Sequence, residues 1–132
     1  MPTTIKYADF VDSIAAALQF ISYYHPQDYI EHLARAYEAE ASPAAKDAQI
    51  LTNSKMCAEG HRPICQDTGI VNVFLKIGMD VRFENFSGSI TDAVNEGVRR
   101  AYGDPDNCLR ASIVADPHFE RKNTKDNTPA VV

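Results

Sequence analysis

This chain of 132 residues predicts an α+β fold. Three consecutive helical patterns fill its first 60 residues, β-branched runs appear only after Gly69, and a fourth helical pattern interrupts those runs. The expected architecture is three N-terminal helices followed by a mixed or antiparallel sheet with a packed helix. One domain suffices at this length, with a helical part over residues 1–60 and a sheet-containing part over residues 61–132.

From Ala8 to Tyr24, Phe10, Ile14, Leu18 and Ile21 recur at helical spacing, and Val11 and Ala15 widen the apolar stripe. His25-Pro26 ends that helix. A second opens at Pro26, gathering Ile30, Leu33, Ala34 and Tyr37 on one face and Glu31, Arg35 and Glu38 largely on the other. A third begins with Ser42 as N-cap and Pro43 in the first turn, runs through Ala48, Leu51 and Lys55, and stops at Gly60.

Beyond Gly69 the pattern changes. Residues Ile70 to Gly78 are rich in β-branched side chains and predict a strand, and their near-continuous apolarity predicts burial on both faces. A short strand over Met79 to Phe83 follows a turn at Gly78-Met79-Asp80. The fourth helix spans Ser89 to Tyr102 and buries Ile90, Val94, Val98 and Ala101, with Gly97 permitting another element to approach closely. Gly103 to Asn107 is a loop by composition, Leu109 to Ala115 a further strand, and Asp116-Pro117 its end. Thr128 to Val132 has the look of a strand just beginning, so the chain is expected to be part of a longer one.

Bulk properties exclude several classes. A composition of 45% hydrophobic and 23% charged residues is that of a folded globular protein. A net charge of −5 with scattered Lys and Arg offers no face for nucleic acid. No apolar run reaches the roughly 20 residues of a membrane span, and no signal peptide is evident, so a cytoplasmic location is expected. The three cysteines, Cys57, Cys65 and Cys108, contain no CxxC pair, which argues against a disulfide framework or a self-contained zinc site.

Chemistry concentrates in Arg62-Pro63-Ile64-Cys65-Gln66-Asp67-Thr68-Gly69, where a thiol, an amide, a carboxylate and a hydroxyl sit on a turn between proline and glycine. Cys65 is open to three roles: nucleophile, metal ligand or packed thiol. A nucleophile needs a base, and the sequence does not place His25, His32, His61 or His118. Cys57, in a helical pattern, and Cys108, in a polar loop, are expected to be reduced, partly buried thiols.

The string Ile64-Cys65-Gln66-Asp67-Thr68-Gly69, followed by an apolar strand, resembles the Cys-Gln-Asp-Thr-Gly signature of class I fumarases and related iron–sulfur hydro-lyases. Asn107-Cys108-Leu109-Arg110-Ala111-Ser112 is similar to that family's Leu-Arg-x-Ser stretch, and Asn123 to Pro129 to its Asn-Thr-x-x-Asn-x-Pro stretch. The resemblance implies the N-terminal part of a fumarate hydratase of the tricarboxylic acid cycle, interconverting fumarate and (S)-malate. It implies a [4Fe–4S] cluster on three cysteines, with one open iron acting as Lewis acid on the substrate hydroxyl.

By the same resemblance Cys65 is one metal ligand, Gln66, Asp67 and Arg110 bind substrate, and Asp67 transfers a proton or positions the leaving water. The plainer roles are a turn-capping carboxylate for Asp67 and a surface-paired side chain for Arg110. Asn123, Asn127 and Pro129 are expected to form a turn with local side-chain hydrogen bonds and no catalytic role. The family's other two cluster cysteines match neither Cys57 nor Cys108, so this chain alone is expected to be inactive, its cluster absent or incomplete. A dicarboxylate substrate, the remainder of the catalytic chain or a partner subunit, and a homodimer are the implied partners. The alternatives are the α-subunit part of a tartrate dehydratase, a non-catalytic helical assembly module and a cysteine-nucleophile enzyme.

Overall fold

The computed structural model describes residues 2–42, 49–67, 69–106 and 109–132. Among these, α1 (Tyr7–Tyr23), α2 (Gln27–Ala39), α3 (Gln49–Gly60) and α4 (Ile90–Gly103) are helices, and β1 (Thr3–Lys6), β2 (Val81–Glu84), β3 (Val114–Ala115) and β4 (Lys122–Asn123) are strands. The fold is α+β. Pro43 and Ala48, assigned above to the third helix, lie outside the described residues, as do Thr68, Asn107 and Cys108. The chain divides into two compact units, Met1–Gln19 with Asp67–Val132, and Phe20–Gln66.

In the first unit, α4 supplies the buried centre. Ser89 caps it with a capping box: Ser89 Oγ accepts from Asp92 N at 3.1 Å while Ser89 N donates to Asp92 Oδ2 at 2.8 Å. Ala93, Val94, Gly97, Val98 and Ala101 then fall on one buried face, as the helical spacing of these apolar positions requires. Leu18, Val71, Leu109 and Ala130 pack into the same core, with Phe10, Ile14 and Ala15 of α1 against it. Gly97 is the point of closest approach, since a Cβ there would stand 2.6 Å from Ile14 Cβ and 3.0 Å from the Val11 carbonyl oxygen. The close approach expected of Gly97 is therefore made, by α1.

Two small sheets replace the single sheet expected. Strand β1 pairs in parallel with β2, Thr3 opposite Val81 and Lys6 opposite Glu84, and Tyr7, Phe10, Phe83 and Phe86 meet edge to face beside them. Strand β3 pairs antiparallel with β4. Nothing in the sequence pattern had marked β1 or β4.

The strand expected over Ile70 to Gly78 is reduced to one parallel bridge, Asn72 with Val131, closed by Val73 N to Val131 O at 2.7 Å and Val131 N to Val71 O at 2.9 Å. Burial on both faces is not found. Val71 is buried and Val73 half-buried, while Ile70, Phe74 and Ile77 are exposed, Phe74 at 96%. An apolar run satisfies a two-sided core only when elements cover both faces, and here one face is covered. The expected strand from Leu109 likewise pairs only at Val114–Ala115; just before it, the Ser112 and Ile113 amides donate to the Asn127 side chain instead of to a neighbouring strand.

In the second unit, α2 buries no residue completely, and Ile30, Leu33 and Ala34 are half-buried, on the face the spacing predicted. Helix α3 buries Ser54 and Cys57. Beyond Gly60 the chain reverses at His61, whose φ of 47° is left-handed, and Arg62 N returns to Cys57 O at 3.1 Å. None of the described helices is long and apolar enough to cross a membrane.

Candidate functional site around the Asp67 turn

The approach to the turn is held from two sides. Ile64 N donates to Ser22 O at 2.9 Å, and Asn53 Nδ2 donates to Ile64 O at 3.0 Å, so the residue before Cys65 has both backbone groups engaged. Cys65 and Gln66, the last residues of the second unit, are exposed, and the Cys65 thiol meets Gln66 Oε1 at 3.6 Å. Cys57 is buried, its thiol directed to Pro63 O at 3.5 Å and Asn53 Oδ1 at 3.6 Å, as expected for a packed thiol.

The histidines that a cysteine nucleophile needs have other neighbours. His61 stacks on Tyr23 with rings 5.7 Å apart and shares a 3.0 Å hydrogen bond with Tyr24 Oη. His25 pairs with Ser54, His32 with Arg35, and His118 lies edge-on to Phe119. The structure therefore places none of them as a base for Cys65 by any of these contacts.

Asp67 opens the first unit's part of the turn. Its Oδ1 accepts from Gly69 N at 3.0 Å and from Ser112 Oγ at 3.0 Å. The Gly69 contact is the capping carboxylate foreseen as the plainer role. The Ser112 contact is not local, because it joins Asp67 to a residue 45 positions away. The Gly69 amide and then the Ser112 hydroxyl hold the Asp67 carboxyl below its ordinary range; desolvation opposes them, and the charge of Arg110 adds a contribution smaller than that of desolvation. Asp67 is ionised at neutral pH.

Arg110 is exposed and lies on the segment that carries Ser112. Among the described residues Asp67 and Arg110 belong to the same unit, near enough for the Arg110 charge to favour the Asp67 carboxylate, and Cys65 and Gln66 belong to the other unit.

The third motif closes the arrangement. Asn127 is wholly buried, at 0% exposure, with φ 58°. Its Oδ1 accepts from Ser112 N at 2.7 Å and Ile113 N at 3.1 Å, and its Nδ2 donates to Gly69 O at 3.0 Å. Asn123 Nδ2 donates to Ala111 O at 2.7 Å, and Thr124 N to Ile113 O at 2.9 Å. The local side-chain hydrogen bonds expected of this segment are present, Lys125 N donating to Asn123 Oδ1 at 2.7 Å and Thr128 N to Asp126 Oδ1 at 3.0 Å, and beyond them the Asn123 to Asn127 segment holds the Arg110 to Ile113 segment to the end of the Asp67 turn. Ser112 and Asn127 are the residues that sequence reasoning left without a role. Their signal was present, as polar side chains inside two motifs that recur beside a third.

A [4Fe–4S] cluster needs several thiolates around one space. Cys65 is an exposed thiol, suited to one corner. Among the described residues no group of three or more His, Cys, Asp and Glu side chains could hold a metal, and Cys57 points into its own helix–turn contact. The residues described do not make up a cluster site.

Residues 11–132 match the family described as fumarate hydratase (Fumerase). A relative from Methanocaldococcus jannaschii, named as an L(+)-tartrate dehydratase subunit alpha, is 32% identical over 118 residues, which is 88% of this chain and 40% of that relative's length. The chain therefore spans well under half of the curated relative it matches. The matched region includes the Cys-Gln-Asp-Thr-Gly turn and both segments that fold back onto it, so by sequence this chain belongs to the iron–sulfur hydro-lyase family described as fumarate hydratase (Fumerase).

Proposed function

We propose that this chain forms the N-terminal part of an iron–sulfur hydro-lyase that interconverts fumarate and (S)-malate, and that it is inactive without the rest of that enzyme. The observation that carries the proposal is the ionised Asp67 carboxylate, whose Oδ1 accepts from Gly69 N of its own turn and from Ser112 Oγ of the Arg110 motif, with Asn127 of the third motif bonded to both segments.

In the dehydration direction a proton leaves C3 of malate, hydroxide leaves C2, and fumarate and water result. An Arg guanidinium suits a substrate carboxylate through its two parallel N–H donors, which is the role of Arg110. Gln66 supplies amide donors and acceptors for the substrate. Asp67, as a carboxylate fixed through Oδ1, accepts a proton or hydrogen-bonds the departing water. Cys65 would hold one corner of a [4Fe–4S] cluster, and the remaining ligands would come from the polypeptide that completes the enzyme, whether a longer chain or a partner subunit, in a homodimer.

A second substrate is favoured by one observation. The relative from Methanocaldococcus jannaschii is named for L(+)-tartrate, a dicarboxylate with hydroxyls on both central carbons, which the same residues would grip. Steady-state kinetics of the complete enzyme on malate and on tartrate separate the two. Turnover of malate with a kcat/KM at least tenfold above that for tartrate is the expected result, and the reverse order makes the protein a tartrate dehydratase. Asp67→Asn is expected to lower kcat about 100-fold or more with the fold intact, since Asp67 is exposed. A variant as active as the wild type removes Asp67 from the mechanism.

A further inference from the structure

We infer that Asn127 and Ser112 are positioning residues for Asp67, acting as one hydrogen-bonded unit; this rests on the hydro-lyase function proposed above. Asn127 is buried to 0% exposure, and an amide so placed is retained only if its polar atoms are partnered. Three of its bonds leave its own segment: two from the Ser112 and Ile113 amides to Oδ1, and one from Nδ2 to the Gly69 carbonyl, 58 residues away in sequence.

The consequence for Asp67 is geometric. Gly69 N and Ser112 Oγ are the two donors to Asp67 Oδ1, and each belongs to a residue whose backbone Asn127 grips, Gly69 through its carbonyl and Ser112 through its amide. One side chain thus sets the spacing between the two donors, and the two donors set the carboxylate. Either donor alone leaves the carboxylate free to rotate about its Cβ–Cγ bond. Asparagine suits the position for a second reason: it accepts a φ of 58° better than other residues with a side chain, so the turn that presents the amide is made by the same residue.

Two variants divide the unit. Asn127→Asp keeps the acceptor for the Ser112 and Ile113 amides and the tolerance of left-handed φ, and loses the donor to Gly69 O. Ser112→Ala keeps the backbone amide that Asn127 holds and loses the hydroxyl on Asp67. Each is made in the complete enzyme, alone and together with Asp67→Asn, and kcat and KM are measured on the substrate that the wild type turns over.

The expected result is a fall in kcat of about tenfold for each single variant, with KM within twofold. In the Asp67→Asn background the same changes are expected to cost less than twofold, because residues that act through Asp67 have nothing left to position. Equal losses with and without Asp67, or a shift in KM and thermal midpoint at constant kcat, overturn the inference and leave a purely structural role. Should Asn127→Asp fail to fold, the Ser112→Ala cycle decides, since Ser112 is only half-buried and its backbone contacts survive. A wild-type enzyme that dehydrates neither malate nor tartrate overturns the functional proposal itself, an outcome distinct from an active enzyme indifferent to Ser112→Ala.

Discussion

At the scale of single residues, the contrast between two cysteines shows how environment divides one chemistry into two. Cys65 is exposed at the end of a held segment, and Cys57 is buried with its thiol on a backbone carbonyl. A thiol must reach solvent as thiolate to react, so their rates of modification differ. In a Cys108→Ser background at pH 8, Cys65 is expected to be labelled by an aromatic disulfide at least 100-fold faster than Cys57, the gap closing in denaturant. Equal rates under native conditions would place Cys57 at the surface. The residue scale is also where the sequence was most legible, since Cys65, Gln66, Asp67 and Arg110 stand out by type and motif. Ser112 and Asn127 were less so, because their importance lies in hydrogen bonds that link positions 45 and 58 residues apart.

At the scale of elements, helix boundaries followed from local chemistry. The apolar spacing put α4 within a residue of its observed span, and α1 and α2 came as close. Gly97 tests the packing of α4 against α1. Alanine is the better helix former by about 1 kcal/mol, yet its Cβ would press on Ile14 and on the Val11 backbone oxygen. Gly97→Ala is expected to destabilise the protein by about 1–3 kcal/mol in urea unfolding, and a stabilised variant would refute the close approach.

The capping box has a pH signature. The Ser89 hydroxyl first, and the Ser89 amide second, hold the Asp92 carboxyl below its ordinary value; desolvation opposes them, and Arg99 adds a contribution smaller than that of desolvation. A depressed folded-state value contributes stability above the unfolded value of about 3.9, and that contribution disappears as pH falls through the folded value. The stability difference between wild type and Ser89→Ala is therefore expected to be constant from pH 7 to about 5 and to shrink by pH 3. A difference independent of pH would mean that the carboxylate takes no part in the cap.

Strands were the weaker part of the expectation. Periodicity identifies a segment that can pair, and pairing needs a partner whose position no local pattern contains. Ile70 to Gly78 has the composition of a central strand and makes one bridge, with Phe74 at 96% and Ile70 at 62% exposure. Thr3–Lys6 has only four residues, yet pairs along its whole length because β2 lies alongside.

At the scale of the whole molecule, the first 19 residues group with residues 67–132, and residues 20–66 form a unit of their own. Most of α1, up to Gln19, thus belongs with a core made mostly of residues from Val71 onward. The Cys-Gln-Asp-Thr-Gly turn lies at the passage from one unit to the other, Gln66 closing the second and Asp67 reopening the first. The sequence by itself determined the α+β class, the helices and the family, because helical periodicity, caps and short motifs are written in neighbouring residues. Only the tertiary structure decided which apolar run found a partner strand, that Asn127 ties Gly69 to Ser112, and that Asp67 is held by a serine 45 residues away. Those choices depend on distances closed by the packed core, and such distances have no expression along the chain.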